Sequence, residues 1–170
     1  LSDISDGMLR DARRALGARD SRFSFAAFDC EKIPAASESY DLVIANHVLF
    51  YCDNLENVCK EVRRVLKPGG RFLCSTYGNS HMKEISQLVS RFDERIVLSA
   101  NKLYEKFGRE NGAQVLEPWF SRVEWISYED GLLVSDPEPL ISYILSCHGN
   151  QNRYLLDHYK EFRSFVKKKT

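Results

Sequence analysis

The chain has 170 residues, 44% hydrophobic and 28% charged, and its 24 basic and 24 acidic side chains give a formal net charge of zero. That suits one globular domain, and the balanced charge leaves no electrostatic footprint for nucleic acid or an anionic membrane surface. No apolar run approaches the ~18 residues of a membrane span and no signal-peptide pattern is present, so a cytoplasmic protein is expected, with no nucleic acid and no membrane among its partners. Cys30, Cys52, Cys59, Cys74 and Cys147 are odd in number and lack metal-ligand spacing, which predicts reduced thiols and no metal.

Ser5 or Asp6 can cap a helix carrying Met8, Leu9, Ala12, Ala15 and Leu16, and Gly17 ends it. Phe23, Phe25 and the apolar run to Phe28 predict a short strand ending at Asp29 and Cys30. Residues 31–40 are an Ala-, Ser- and Pro-rich loop. The continuous apolar run Asp41 to Asn46 predicts a central parallel strand covered on both faces. Leu55, Val58, Cys59, Val62, Val65 and Leu66 form a helix stripe, with Pro68, Gly69 and Gly70 as helix stop and tight turn into a strand over 71–77. This order predicts parallel βαβ units, in which the polar carboxyl ends of the strands hold ligands.

The second half reads as a helix over 82–96, a weaker one over 103–116 interrupted by Gly108 and Gly112, an alternating strand over 123–128, a helix opening at Asp136-Pro137, and a last helix over 154–166. The opening residues look like the tail of a strand running into a helix, which points to a piece of a longer protein.

Four short motifs occur in order: Asp3-Ile4-Ser5-Asp6-Gly7-Met8-Leu9, Asp29-Cys30-Glu31-Lys32-Ile33-Pro34, Ser39-Tyr40-Asp41-Leu42-Val43, and Arg64-Val65-Leu66-Lys67-Pro68-Gly69-Gly70. Together, at this spacing, they make residues 1–78 resemble the class I S-adenosylmethionine-dependent methyltransferases, in the broad group similar to ubiquinone and menaquinone biosynthesis enzymes. The resemblance implies an α/β, doubly wound, Rossmann-like, mostly parallel sheet with helices on both faces, incomplete at the N-terminus and at the C-terminus. It implies one methyltransferase-like domain over 1–170: a cofactor-binding part over 1–78, a helical lid or substrate part over 79–120, and a C-terminal strand and helices over 121–170.

The resemblance also assigns roles. Asp3 and the adjoining Ile4 fall where an acid ends the second strand and takes the cofactor ribose hydroxyls; the competing reading of Asp3 is a helix N-terminal acid. Met8 either lines the adenine or packs the helix face. Asp29 would accept the adenine amino hydrogens while the Cys30 N–H meets the ring nitrogen, against an ordinary Asx turn. Asn46 would offer its carbonyl to the cofactor amino group. His47 is a general base or a pocket wall, and Phe50 and Tyr51 shape that pocket or pack the next helix. The cofactor implied is S-adenosylmethionine, leaving as S-adenosylhomocysteine, and the acceptor a small-molecule substrate of small or medium size.

The family's glycine-rich loop after its first strand should lie ~20 residues before the acid. Asp3 is too close to the start for that, and no Gly-x-Gly occurs in the sequence. Either further segments complete the fold, or a second chain fills the gap as in a homodimer, or the chain is a truncated, non-catalytic methyltransferase-like interaction module. A nicotinamide-dependent oxidoreductase is a third reading, since an acid in this place also holds the ribose of NAD.

Overall fold

The computed structural model describes residues 1–17, 20–99, 102–128 and 130–169. Glu129 lies outside them, within the stretch Tyr128-Glu129-Asp130-Gly131-Leu132, which resembles a segment of related bacterial sequences of unassigned specificity. The chain divides into two units, Leu1–Thr76 with Asn111–Val123, and Tyr77–Glu110 with Glu124–Thr170.

In the first unit, β1 (Ser2–Asp3) runs into α1 (Asp6–Leu16). Ser5 has extended backbone and its hydroxyl accepts the Met8 N–H at 3.4 Å, while Gly17 at φ +88° ends the helix, as the cap residues predict. β2 is reduced to Ala26–Ala27, a parallel partner of β1; the apolar run around it remains loop. β3 (Tyr40–Asn46) pairs in parallel with β4 (Leu66–Ser75). Between them, α2 (Leu55–Val65) is capped by Asn54, whose side chain accepts the Asn57 N–H. It buries Val58, Cys59, Val62 and Val65 and packs on β4.

Two expectations need correction here. Tyr40 faces Leu66 but Leu42 faces Arg71, so Lys67 to Gly70 form a bulge inside β4 rather than a turn before it. Gly69 has φ +77°, and a Cβ on Gly70 would stand 2.9 Å from the Lys67 carbonyl oxygen and 3.2 Å from that of Tyr40. β3, in turn, is not covered on both faces: Leu42 is 45%, Ile44 56% and its β4 neighbour Leu73 53% exposed. The physical reason is pairing. Among the described residues β3 has a ladder partner on one side only, and the α/β fold is present as two separate two-stranded parallel ladders.

The loop between β2 and β3 has no ladder of its own and is held by α2. Glu61 accepts the Ile33 N–H at 2.8 Å, and the Arg64 guanidinium donates to the carbonyls of Ala35 at 2.6 Å and Ile33 at 2.8 Å and to Glu61 at 2.7 Å. The Arg64 bond holds the Glu61 carboxyl below its ordinary value. Residues 111–123 join this unit through α4 (Gly112–Leu116), the stack of Phe120 on Phe72 at 5.4 Å and the Lys60 ammonium over Trp119 at 5.7 Å.

The second unit is helical. Its core comprises Val89, Ile96, Leu140, Ile141, Ile144, Leu155, Phe162 and Val166. α3 spans Lys83–Phe92, shorter than the expected 82–96, because Asp93 turns extended and binds Arg95. The expected helix over 103–116 is broken into a 3-10 turn, Leu103–Glu105, and α4, with Gly108 packed against the Tyr104 carbonyl between them. Residues 123–128 form no strand: alternation supplies a face, but among the described residues they have no ladder partner. α5 (Pro137–Ser146) starts at its predicted Asp136 cap. The single helix expected over 154–166 is two, α6 (Gln151–Leu155) and α7 (Tyr159–Lys167), and the buried Gln151 amide donates to the Leu145 and Cys147 carbonyls at the end of α5.

Gly70→Ala is expected to destabilise the protein by about 1–3 kcal/mol, read by urea unfolding, because the Lys67 and Tyr40 backbone oxygens, with the Leu66 side chain at 3.1 Å, crowd the new methyl. Glu61 supplies a pH test. Its folded-state value lies below the ordinary 4.5, so its contribution is complete above 4.5 and is lost as pH falls through the lower folded value. The stability gap between wild type and Glu61→Gln should therefore hold at about pH 7 and close in acid, followed by thermal unfolding across pH.

Candidate functional site

The first unit gathers its polar strand ends in two places. At the end of β1, Asp3 pairs with Ala27, and its carbonyl accepts the Phe28 N–H at 3.3 Å. Its carboxylate Oδ1 accepts the Ser5 N–H at 2.8 Å, the turn that launches α1. Asp29 repeats the arrangement after β2: Oδ1 accepts the Glu31 N–H at 2.9 Å. So both acids close Asx turns, that of Asp3 leading into the Ser5 cap of α1. Among the described residues the Oδ2 atoms of Asp3 and Asp29 accept no hydrogen bond, which leaves each carboxylate with capacity for a ligand. This donor and acceptor chemistry fits a ribose and an adenine edge.

Ile4 is exposed, and Met8 stands 60% exposed on α1, so Met8 does not pack the helix face. Cys30 is half-buried, and its sulfur lies 3.3 Å from that of Cys52, which follows the 3-10 turn Leu49–Tyr51. Glu31 accepts the Asn54 N–H at 2.7 Å. These two contacts tie the segment following β2 to the segment following β3.

Asn46 ends β3 opposite Ser75, whose hydroxyl donates to the Asn46 side-chain oxygen at 3.3 Å. His47 follows in the left-handed region at φ +49°, with its N–H donating to the Ser75 carbonyl and hydroxyl, each at 3.2 Å. Its ring meets Phe50 edge-on at 6.2 Å. Phe50 is buried and packs the turn, whereas Tyr51 is exposed. Three participants were not singled out from sequence: Ser75, which fixes the Asn46–His47 corner, and the Glu61–Arg64 pair. A Glu and an Arg three apart on α2 were the available signal for the pair; Ser75 offered none beyond its place at a strand end. The other two thiols in this unit are inert by burial, which pushes Cys59 and Cys74 up to about 11. Among the described residues no group of three or more His, Cys, Asp or Glu side chains could hold a metal ion, and no helix is long and apolar enough to cross a membrane.

Residues 1–74 match the protein family described as "Methyltransferase domain". A malonyl-[acyl-carrier protein] O-methyltransferase of Methylococcus capsulatus is 37% identical over 83 residues, 49% of this chain and 30% of that protein. The enzyme of the same description from Enterobacter lignolyticus is 34% identical over 93 residues, 55% of this chain and 36% of that protein. Among solved structures, the PH0226 protein of Pyrococcus horikoshii is 34% identical, with a TM-score of 0.42, over 52% of this chain and 42% of that one. The chain spans about a third of the length of these curated relatives. The likeness to methyltransferases thus lies in residues 1–74, from β1 into β4.

Proposed function

We propose that the whole protein transfers a methyl group from S-adenosylmethionine to a small or medium organic acceptor. The observation that carries this is the pair of half-used carboxylates, Asp3 and Asp29, at the ends of paired parallel strands within the family segment. In this reading Asp3 holds the ribose hydroxyls and Ile4 and Met8 flank the adenine. Asp29 and the Cys30 N–H take the adenine's donor and acceptor edge, and the Asn46 carbonyl takes the cofactor amino group. The cofactor supplies an activated methyl on a sulfonium. The protein aligns it with the acceptor and excludes water. His47, held at its strand end by Ser75, is the candidate base for the acceptor proton.

The family match ends at residue 74, and the acceptor side therefore rests on residues outside it. The two O-methyltransferases named above act on malonyl-[acyl-carrier protein]; an acyl acceptor belongs in the first substrate panel. A second reading, an interaction module, is favoured by the exposed apolar face of β3, which a second copy in a homodimer could cover.

Asp3→Asn keeps an oxygen for the Ser5 N–H and removes the charge. It should weaken S-adenosylhomocysteine binding by about 1–3 kcal/mol in calorimetric titration of the full protein, and unchanged affinity removes the ribose assignment. No binding by the unmutated full protein would favour the interaction module. His47→Asn retains tolerance for the left-handed backbone. It should lower turnover at least about tenfold with cofactor affinity unchanged, and full activity would make His47 a wall residue.

A further inference from the structure

We infer that Cys30 and Cys52 form a redox modification site that reacts with a small-molecule disulfide, such as oxidised glutathione, and closes into an intramolecular disulfide. The two sulfurs are 3.3 Å apart, so bond formation at ~2.05 Å requires only a small approach. Both thiols sit on tethered backbone. Next to Cys30, Glu31 holds the Asn54 N–H, two residues beyond Cys52, and Ile33 is held by Glu61 and Arg64. The Cys52 thiol also lies against the Val48 carbonyl at 3.6 Å. Frame contacts on both sides of the pair keep the sulfurs facing each other.

The pair is chemically asymmetric. The hydrogen bond between the two sulfurs lowers the Cys30 thiol below its ordinary value and raises that of Cys52. Cys30 is also the more accessible of the two. The Cys30 thiolate therefore attacks one sulfur of the small disulfide, forming a mixed disulfide and releasing one thiolate, which takes up a proton. Cys52 then gives up its proton and attacks the Cys30 sulfur, releasing the second small thiol. Two protein thiols are oxidised and one small disulfide is reduced to two thiols. Burial keeps Cys59 and Cys74 protonated and out of the exchange.

The bond would lock the loop that carries Asp29 and the Cys30 N–H. Only this consequence for cofactor binding rests on the methyltransferase reading; formation of the bond does not.

The test treats the reduced full protein with oxidised glutathione, blocks remaining thiols, and maps peptides by mass. The expected product is Cys30 joined to Cys52, with no retained glutathione. In the reduced protein, Cys30 should alkylate at least about tenfold faster than Cys59 and Cys74. Cys52→Ser should stop at glutathione bound to Cys30. A wild-type product that retains glutathione, a bond between any other pair, or an intramolecular bond persisting in Cys52→Ser would overturn the proposal. Titrating S-adenosylhomocysteine into oxidised and reduced protein separates the two readings. A mapped bond in a protein that binds the ligand in neither state sinks the methyltransferase reading and leaves the redox site standing.

Discussion

The Arg64 guanidinium is the joint on which the first unit's geometry turns. It reaches from the last turn of α2 to two carbonyls of the loop between β2 and β3, and it orients Glu61 toward the Ile33 N–H. That loop has no ladder to satisfy its backbone, so these groups need side-chain partners. A planar donor fork suits the task, since it can serve two carbonyls and a carboxylate at once. α2 in turn buries Val58, Val62 and Val65 and packs on β4. The position of Asp29 and Cys30 is thereby transmitted from the β3–β4 ladder through one helix and one ion pair, although among the described residues the β1–β2 ladder shares no strand pairing with it.

The same economy governs the acids. Asp3 and Asp29 each hold a downstream N–H on one oxygen, which is a local device any helix start or turn uses. Because a carboxylate has two oxygens, the turn and a ligand do not compete. A carboxylate that shapes its own loop arrives at the ligand already oriented, so less side-chain entropy is lost on binding.

What could be read from the sequence divides along that line between local and distant causes. The starts of α1 and α5 were legible because Ser5 and Asp136 act within their own helices, whereas α2 was read from its apolar stripe and its Asn54 cap was not singled out. The β3 strand was legible from its apolar run, but its coverage was not, since coverage depends on what lies alongside. The expected strand at 123–128 failed for that reason: a face without a partner makes no sheet. The last helix shows a different limit. Leu155, Phe162 and Val166 keep helical spacing and share one core although the backbone breaks between α6 and α7. Periodicity records which residues point inward and not whether the chain between them is continuous. The candidate acids and His47 were found as residue types at strand ends; Ser75 and Arg64 were not, because their partners lie 28 to 31 residues away.

The corner at His47 shows how these constraints combine. A left-handed conformation costs a non-glycine residue roughly 1–2 kcal/mol, and it persists only where the surroundings over-determine it. Here Ser75 binds the His47 N–H twice from β4, and two residues later Leu49 and Phe50 are buried in the turn. The chain is thus held on both sides of the strained residue. The same turn leads to Cys52, whose sulfur faces Cys30. A change at the thiol pair therefore acts on both the loop bearing Asp29 and the turn leaving His47. These are the loop that carries the candidate acid and the turn that follows the candidate base. Chemistry at one sulfur contact would be felt at both, without any further element having to move.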